Sequence, residues 1–196
     1  MKIYLTKIYA ELKAWRNERK ITAESQKDGY TLNVMEEFGE LAQALRGLEF
    51  ENIRKTAEHE IIDAICDIAV FTINAGADIP AKEKITIIDT TTATASLNTP
   101  FNATILCSLV EDCMYFASDP GGKSGFIPDF FNQILVDCAK LCEHYGFNFE
   151  IAMLETIKEI SSRTGSYDKA SKKWIKDTSN EARAKWYKAN YELARL

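Results

Sequence analysis

The sequence predicts an all-α protein built as a helical bundle. Apolar residues recur at intervals of three and four over most of the 196 positions, which is the spacing of amphipathic helices. The nine glycines and four prolines fall mainly between these apolar segments, where helices end. Apolar residues make up 46% of the chain, so a substantial core can form. We therefore expect one all-α domain over residues 1–196.

The first part of the chain is predicted to contain three helices. They span residues 3–19, 31–48 and 51–75. The polar stretch Thr22–Tyr30 separates the first two, and a glycine follows the third. An irregular insertion is expected over residues 78–100, because this stretch is rich in Thr and poor in helix-forming residues. Within it, Lys84–Thr92 could form a short strand.

The second part of the chain is predicted to contain a second helix set, residues 101–165. Its helices span residues 101–117, 128–145 and 149–162. A basic C-terminal segment, residues 166–196, follows. This segment is expected to be irregular at first and helical over residues 180–194, where Ser179 and Asn180 resemble a helix cap.

Two parts of the chain share a pattern that indicates an internal duplication. Asp67 and Asp137 each stand nine residues before a glycine, and each follows a helix that carries an acidic pair. These acidic pairs are Glu36-Glu37 and Glu111-Asp112. Two similar helix pairs, packed together, would form a four-helix core.

In the second copy, two acidic positions of the first copy are replaced. Phe130 and Gln133 stand where Glu60 and Asp63 stand in the first copy. The second helix set is therefore predicted to be degenerate, because it keeps the packing residues without the metal ligands.

Charge is unevenly distributed along the chain. Residues 157–196 carry ten Lys and Arg against five Asp and Glu, whereas the first 156 residues carry fourteen against twenty-four. An acidic body is unsuited to coating a nucleic-acid polymer, which requires a basic face. It suits a site in which carboxylates bind a metal ion and basic side chains bind phosphate.

The sequence predicts neither a membrane span nor an export signal. No apolar run approaches the roughly 20 residues that cross a bilayer, and the N-terminus lacks the apolar core of a signal peptide. The odd number of cysteines and their apolar surroundings favour buried free thiols in a reducing cytoplasm. These cysteines are Cys66, Cys107, Cys113, Cys138 and Cys142.

The third helix gives the strongest indication of a metal site. Glu60, Asp63 and Asp67 fall within an arc of roughly 60° on it, and every other residue from 60 to 71 is apolar. A helix that is apolar on all sides is buried, so these carboxylates are expected near the core and near each other. Since no Lys or Arg lies in this stretch, we predict Mg²⁺, with Mn²⁺ as the alternative, as the compensating charge.

Other metal and phosphate motifs are disfavoured. Neither His59 nor His144 follows a Glu by three residues, which a di-iron bundle requires. An EF-hand loop and a glycine-rich phosphate loop are also absent from the sequence.

The acidic residues match the spacing of a known signature. The segment Glu36–Glu40, EEFGE, is followed after nineteen residues by Glu60–Asp63, EIID. This pattern resembles the EExxE…ExxD motif of the all-α nucleoside triphosphate pyrophosphohydrolases, the MazG-like superfamily that includes the dimeric dUTPases and phosphoribosyl-ATP pyrophosphohydrolase. The resemblance covers residues 3–79, resumes over residues 137–176 and leaves residues 80–136 uncovered.

The resemblance implies a Mg²⁺-dependent enzyme for nucleotide-pool control. It would cleave a nucleoside triphosphate between the α- and β-phosphates and release a monophosphate and pyrophosphate. The implied metal ligands are Glu37, Glu40, Glu60 and Asp63, with Asp67 as a further candidate. Glu36 is either another ligand or the base that orients the attacking water. The resemblance also implies a MazG-like bundle completed by self-association, as a homodimer or a higher homo-oligomer.

Candidate substrate-binding residues lie outside the acidic motif. The candidates for binding phosphate are Arg163, Lys172, Lys173 and Lys176, with Tyr167 nearby. The candidates for contacting the base are Asn33 and Trp15. The preferred base stays open, so a dUTPase-type hydrolase is one alternative. The others are a non-catalytic helical regulator that binds a nucleotide or a partner helix, and a bundle that binds metal for stability alone.

Overall fold

The computed structural model describes residues 1–92, 103–118, 127–168 and 173–196, and helices dominate these ranges. The α-helices are α1 (Thr6–Arg19), α2 (Ala23–Gly47), α3 (Arg54–Ala75), α4 (Ala103–Ser118), α5 (Ile127–His144), α6 (Phe149–Ser162) and α7 (Asn180–Arg183). The prediction of an all-α protein is confirmed at the level of fold class.

Within the described residues, two short antiparallel strand pairs accompany the helices. Strand β1 (Lys2–Tyr4) pairs with β2 (Ile87–Asp89), and β3 (Gly165–Asp168) pairs with β4 (Lys173–Lys176). Strand β2 falls inside the segment for which the sequence allowed a strand. The irregular structure predicted just after residue 165 was wrong, because β3 and β4 pair over four residues each there.

Helices α2, α3, α4 and α5 pack as two pairs at the centre of the core, as expected, and α1 and α6 also bury side chains in it. Helix α2 packs along α3, α4 packs along α5, and the pairs meet through contacts of α3 with α5 and of α2 with α4. Helix α3 is buried along most of its length, with Ile61, Ile65 and Ile68 inaccessible to solvent. Burying such side chains stabilises the fold by roughly 1.5–3 kcal/mol each, so α3 is the centre of the packing.

Helix α2 begins eight residues earlier than predicted. The side chain of Thr22 accepts a hydrogen bond from the backbone N–H of Ser25 and caps the helix. About two turns after Thr22, Tyr30 is buried and shares a 3.0 Å hydrogen bond with Thr72 of α3. The predicted polar break from Thr22 to Tyr30 was therefore wrong, because tertiary contacts hold this polar segment in a helix.

The C-terminal helix is much shorter than predicted. Helix α7 ends at Arg183, and residues 184–190 separate it from a 3-10 turn at Tyr191–Ala194. Tyr191 and Ala194 are buried in the core, and this turn packs against α6. The prediction of one amphipathic helix over residues 180–194 was therefore wrong, because the segment docks on the bundle in a largely non-helical conformation.

The remaining predictions on local structure have mixed outcomes. Residues 81–83 and 90–92 form 3-10 turns around β2, and the rest of the insertion, residues 93–100, lies outside the described residues. All five cysteines are free, but Cys107 is exposed on α4, so the prediction that it is buried was wrong. Across the described ranges, none of the helices combines the length and apolar character needed to cross a membrane.

Candidate functional site

Helix α2 presents the acidic stripe of Glu36, Glu37 and Glu40 in two different environments. Glu37 is buried, with 9% of its surface exposed, whereas Glu36 and Glu40 are exposed to solvent. Burial, followed by the negative charges of Asp67 and Glu40, raises the pKa of Glu37 to about 8. Glu37 is therefore the member of this acidic stripe that faces α3.

Helix α3 presents two carboxylates toward the same region. Asp63 and Asp67 are half-buried, and burial raises the pKa of both, that of Asp67 to about 7. Asp63 also raises the pKa of Asp67, since the two carboxylates lie one turn apart. Glu60 is exposed, so the expectation that all three acidic residues of α3 lie near the core was wrong for Glu60. It lies nearer the start of α3, where the helix is still largely exposed.

The docked C-terminal segment contacts this acidic group directly. The hydroxyl of Tyr191 donates a 2.5 Å hydrogen bond to Oδ1 of Asp63 and also lies 2.9 Å from the hydroxyl of Thr156 on α6. Lys188 lies close enough to lower the pKa of Asp63. No sequence motif indicated these contacts, because those with Asp63 join residues more than a hundred positions apart.

Arg163 is a cationic neighbour of the acidic group on the α6 side of the bundle. Arg163, just after α6, forms a 2.7 Å ion pair with Glu159 and lowers the pKa of Asp63 and of Asp67. Its Nε is buried and has no hydrogen-bond partner in the described part of the chain. Arg163 therefore retains a free donor next to the carboxylates.

The chemistry of these side chains fits a hard divalent cation, but their positions are not those of a preformed metal site. Carboxylate oxygens are the ligands that Mg²⁺ prefers, and mutual repulsion within the group favours a bound cation. Within the described residues, however, no group of three or more His, Cys, Asp or Glu side chains could hold a metal ion as placed. Glu37, Glu40, Asp63 and Asp67 share one electrostatic environment without meeting at one point, and Glu60 lies outside it.

A cavity of about 530 Å³ adjoins the acidic group. This volume falls within the range of about 300–1,000 Å³ that is typical of small-molecule sites. Its walls come from α1, α2, α3, the end of α6 and strand β4. They combine one carboxylate with four cationic side chains, amides and aromatic rings. The principal residues are Asp67, Arg19, Lys20, Arg163, Lys176, Asn33, Asn74, Trp15, Phe71 and Trp174.

Most of the predicted substrate-binding residues line this cavity. Arg163 and Lys176, predicted for phosphate, share it with Trp15 and Asn33, predicted for the base. The ring of Tyr167 lies 5.4 Å from Nζ of Lys20. Lys173 belongs to strand β4, and Lys172 lies outside the described residues.

At the cavity wall, Arg19 lies over the rings of Trp15 and Trp174, and the sequence did not predict this stack. Arg19 is buried, and its guanidinium lies 5.2 Å from the ring centre of Trp15 and 5.3 Å from that of Trp174. It donates to the backbone carbonyls of Ser161 and Arg163, which ties α1 to the end of α6. In the sequence, the available signal for Arg19 was an arginine at the end of a predicted helix with a tryptophan one turn earlier. Nothing in the sequence indicated Trp174.

The cationic residues crowd one another at the Asp67 end of the cavity. Burial lowers the pKa of Lys176, and the positive charges of Arg163 and Arg183 lower it further. A bound anion would relieve this repulsion, so this end of the cavity is suited to a phosphate group.

Comparisons with known proteins gave no match. No protein-family description fits the sequence, and no curated protein or solved structure is significantly similar to the chain.

Proposed function

We propose that this protein hydrolyses a nucleoside triphosphate to the monophosphate and pyrophosphate with the help of Mg²⁺. One observation carries the proposal: a single cavity contains Asp67 of the acidic group, the cations Arg163 and Lys176, and the aromatic rings of Trp15 and Trp174. A nucleoside triphosphate needs these three kinds of contact, for its metal ion, its phosphates and its base.

The acidic residues of α2 and α3 would hold the metal ion. Glu37, Glu40, Asp63 and Asp67 are coupled electrostatically, and Glu60 could join them because its exposed side chain is free to reorient. When bound, Mg²⁺ would supply positive charge for the phosphates and lower the pKa of a coordinated water.

The basic residues of the cavity would bind and orient the phosphate chain. Arg163 has an unpartnered buried Nε, and Lys176 lies among other cations, so both gain favourable contacts from phosphate oxygens. In the reaction, a water oxygen bonds to the α-phosphorus while the bond from that phosphorus to the α–β bridging oxygen breaks. Pyrophosphate then leaves, and Glu36 stays the candidate for orienting the water from the exposed side of α2.

The test is a panel of ribo- and deoxyribonucleoside triphosphates, incubated with the protein and Mg²⁺ in ¹⁸O-labelled water. Attack at the α-phosphorus predicts a monophosphate that carries the label and an unlabelled pyrophosphate, which mass spectrometry distinguishes. A diphosphate and orthophosphate as products would contradict α–β cleavage. Absence of turnover for every nucleotide would contradict the enzymatic proposal.

A further inference from the structure

One face of α3 forms a wall of the cavity whose polarity changes along the helix. Asp67, Val70, Phe71 and Asn74 all line it, and their spacing of three, four and seven places them on one side of the helix. Seven residues of α-helix span about 10 Å, so the carboxylate of Asp67 and the amide of Asn74 lie at opposite ends of this wall. The two apolar side chains lie between them.

The charged groups mark the Asp67 end as the phosphate end. Arg163 and Lys176 both interact electrostatically with Asp67. Tyr30 of α2 contacts Thr72 of α3 and Glu37 of α2 is repelled by Asp67, so α2 runs antiparallel to α3. The uncharged lining residues Ser25 and Gln26 of α2 therefore lie toward the Asn74 end of the cavity. A nucleotide whose phosphates lie near Asp67 would therefore direct its base toward Asn74.

The orientation of the Asn74 amide is fixed by its neighbour. Nη1 of Arg16 lies 2.6 Å from Oδ1 of Asn74. A guanidinium can only donate hydrogen bonds, so the atom that faces Arg16 must be the amide oxygen. The other end of the amide is therefore the NH₂ group, which can only donate.

That NH₂ group is buried and unsatisfied. Asn74 has 1% of its surface exposed, and its Nδ2 has no hydrogen-bond partner in the described part of the chain. Native proteins rarely leave a buried donor unpaired, because the group has lost its hydrogen bonds to water without replacement. A ligand acceptor in the cavity would supply the missing partner.

We propose that Asn74 reads the base, and that its NH₂ group donates to the keto oxygen at position 6 of a purine or position 4 of a pyrimidine. This inference rests on the proposed function, since it assumes that the cavity binds a nucleotide. It predicts that hypoxanthine is preferred over adenine and uracil over cytosine. Each of these pairs exchanges a keto oxygen for an amino group at one ring position, and an amino group cannot accept the hydrogen bond of Asn74.

The test measures binding and therefore does not depend on hydrolysis. Non-cleavable α,β-imido analogues of dITP, dATP, dUTP and dCTP are titrated with Mg²⁺, and the fluorescence of Trp15 and Trp174 reports occupancy of the cavity. For the wild-type protein we expect the keto member of each pair to bind about tenfold more tightly, because the amino member leaves the Asn74 donor unpaired.

The decisive variant is Asn74→Asp. It keeps the size of the side chain and an oxygen for Arg16, but it replaces the donor by an acceptor, so the preference within each pair should reverse. Asn74→Ala removes both groups and should bring each ratio close to one. Asn52→Asp, an exposed amide outside the cavity lining, adds the same charge and should leave the ratios unchanged.

The outcomes separate this inference from the proposed function. No keto preference in the wild-type protein, or a preference that Asn74→Asp leaves intact, would overturn the role of Asn74. A preference that reverses as expected, in a protein that turns over no nucleotide, would support Asn74 and contradict the hydrolase. No binding of any analogue would overturn both proposals.

Discussion

The two helix pairs of the core place acidic residues at corresponding positions. In the first pair, α2 and α3, Glu37 is repelled by Asp67; in the second pair, α4 and α5, Asp112 is repelled by Asp137. Burial, followed by that neighbouring charge, raises the pKa of Glu37 to about 8 and that of Asp112 to about 6. Both pairs therefore hold one carboxylate from each helix in an unfavourable environment.

The pairs differ in how this negative charge is compensated. In the second pair Gln133 stands where the first pair has Asp63, and its Nε2 donates a 2.8 Å hydrogen bond to Oδ1 of Asp137. Nζ of Lys140 lies 3.7 Å from the same oxygen. The second pair thus compensates one oxygen of Asp137 with its own side chains, while the other, Oδ2, is buried and has no hydrogen-bond partner in the described part of the chain. The first pair instead has a further carboxylate, Asp63, at that position. The same arrangement of two helices can therefore either compensate its buried carboxylates internally or keep negative charge that a bound cation would compensate.

The largest effect is expected from removing charge in the first pair. Asp67→Asn should lower nucleotide hydrolysis by about 100-fold or more, since it removes a proposed metal ligand at the cavity wall. The free energy of unfolding should not fall, because the change relieves repulsion between Asp67 and Glu37. Initial rates under Mg²⁺ and urea denaturation would measure the two effects.

Asp137→Asn is the matched control for that experiment. It makes the same chemical change at the corresponding position of the second pair, away from the cavity lining. Its rate should stay within a factor of about two of the wild-type rate, as for a change that leaves the transition state untouched. Equal losses of activity in both variants would show that the two pairs are not functionally different.

The next effect tests the compensation in the second pair. Gln133→Glu should lower the free energy of unfolding by about 2 kcal/mol at pH 8, because a buried hydrogen bond is lost and a like charge is placed beside Asp137. Gln133→Met removes only the hydrogen bond and should cost about 1 kcal/mol. If the two variants are equally stable in urea denaturation, the charge of Asp137 is not the factor that Gln133 compensates.

Several features that distinguish the pairs could be predicted from the sequence. The spacing of Glu60, Asp63 and Asp67 on an apolar helix was sufficient to place Asp63 and Asp67 near the core, because helix geometry and hydrophobic burial are local properties. The exchange of Asp63 for Gln133 was also visible. The hydrogen bond from Gln133 to Asp137 was not, although the residues are one turn apart on a helix.

Other features depend on contacts between distant parts of the chain. Residues 23–30 are polar, yet they are helical because Tyr30 reaches Thr72 in the core. Strand β1 forms only because residues 87–89 pair with it, and the stack of Trp174 on Arg19 needs β4 to fold against α1. The local spacing of apolar residues does not indicate such long-range pairings. At these positions, tertiary contacts overrode the local conformational preference.

A smaller effect follows from the raised pKa values of the first pair. Glutamate has an ordinary pKa of 4.5, and that of Glu37 is about 8, so the folded protein keeps a proton that the unfolded chain releases between these pH values. Stability therefore falls as the pH rises through this window. Through this group alone, we expect the melting temperature without metal to drop by roughly 5–10 °C between pH 6 and pH 8.5.

Glu37→Gln should flatten that pH dependence, because the amide does not titrate. Mg²⁺ should raise the melting temperature of the wild-type protein more at pH 8.5 than at pH 6, since the ion competes with the proton for the same carboxylates. Differential scanning fluorimetry with and without chelator measures both effects. A Mg²⁺ effect that is equal at the two pH values would argue against Glu37 and Asp67 as ligands.

The smallest effect is expected at Asp112, which is closer to solvent than its counterpart Glu37. Its pKa is raised from an ordinary value of 3.8 to about 6, first by burial and then by Asp137. The folded protein therefore holds the extra proton only between these values, and stability falls as the pH rises from about 4 to 6 and no further. Asp112→Asn should remove this decrease, so the variant gains stability relative to the wild type up to pH 6 and then keeps a constant advantage. Urea denaturation at half-unit pH steps would detect it. The outcome would be different if the stability advantage of Asp112→Asn kept growing toward pH 8 or depended on Mg²⁺. The second pair would then not compensate its own negative charge, and its acidic residues would behave like those of the first pair.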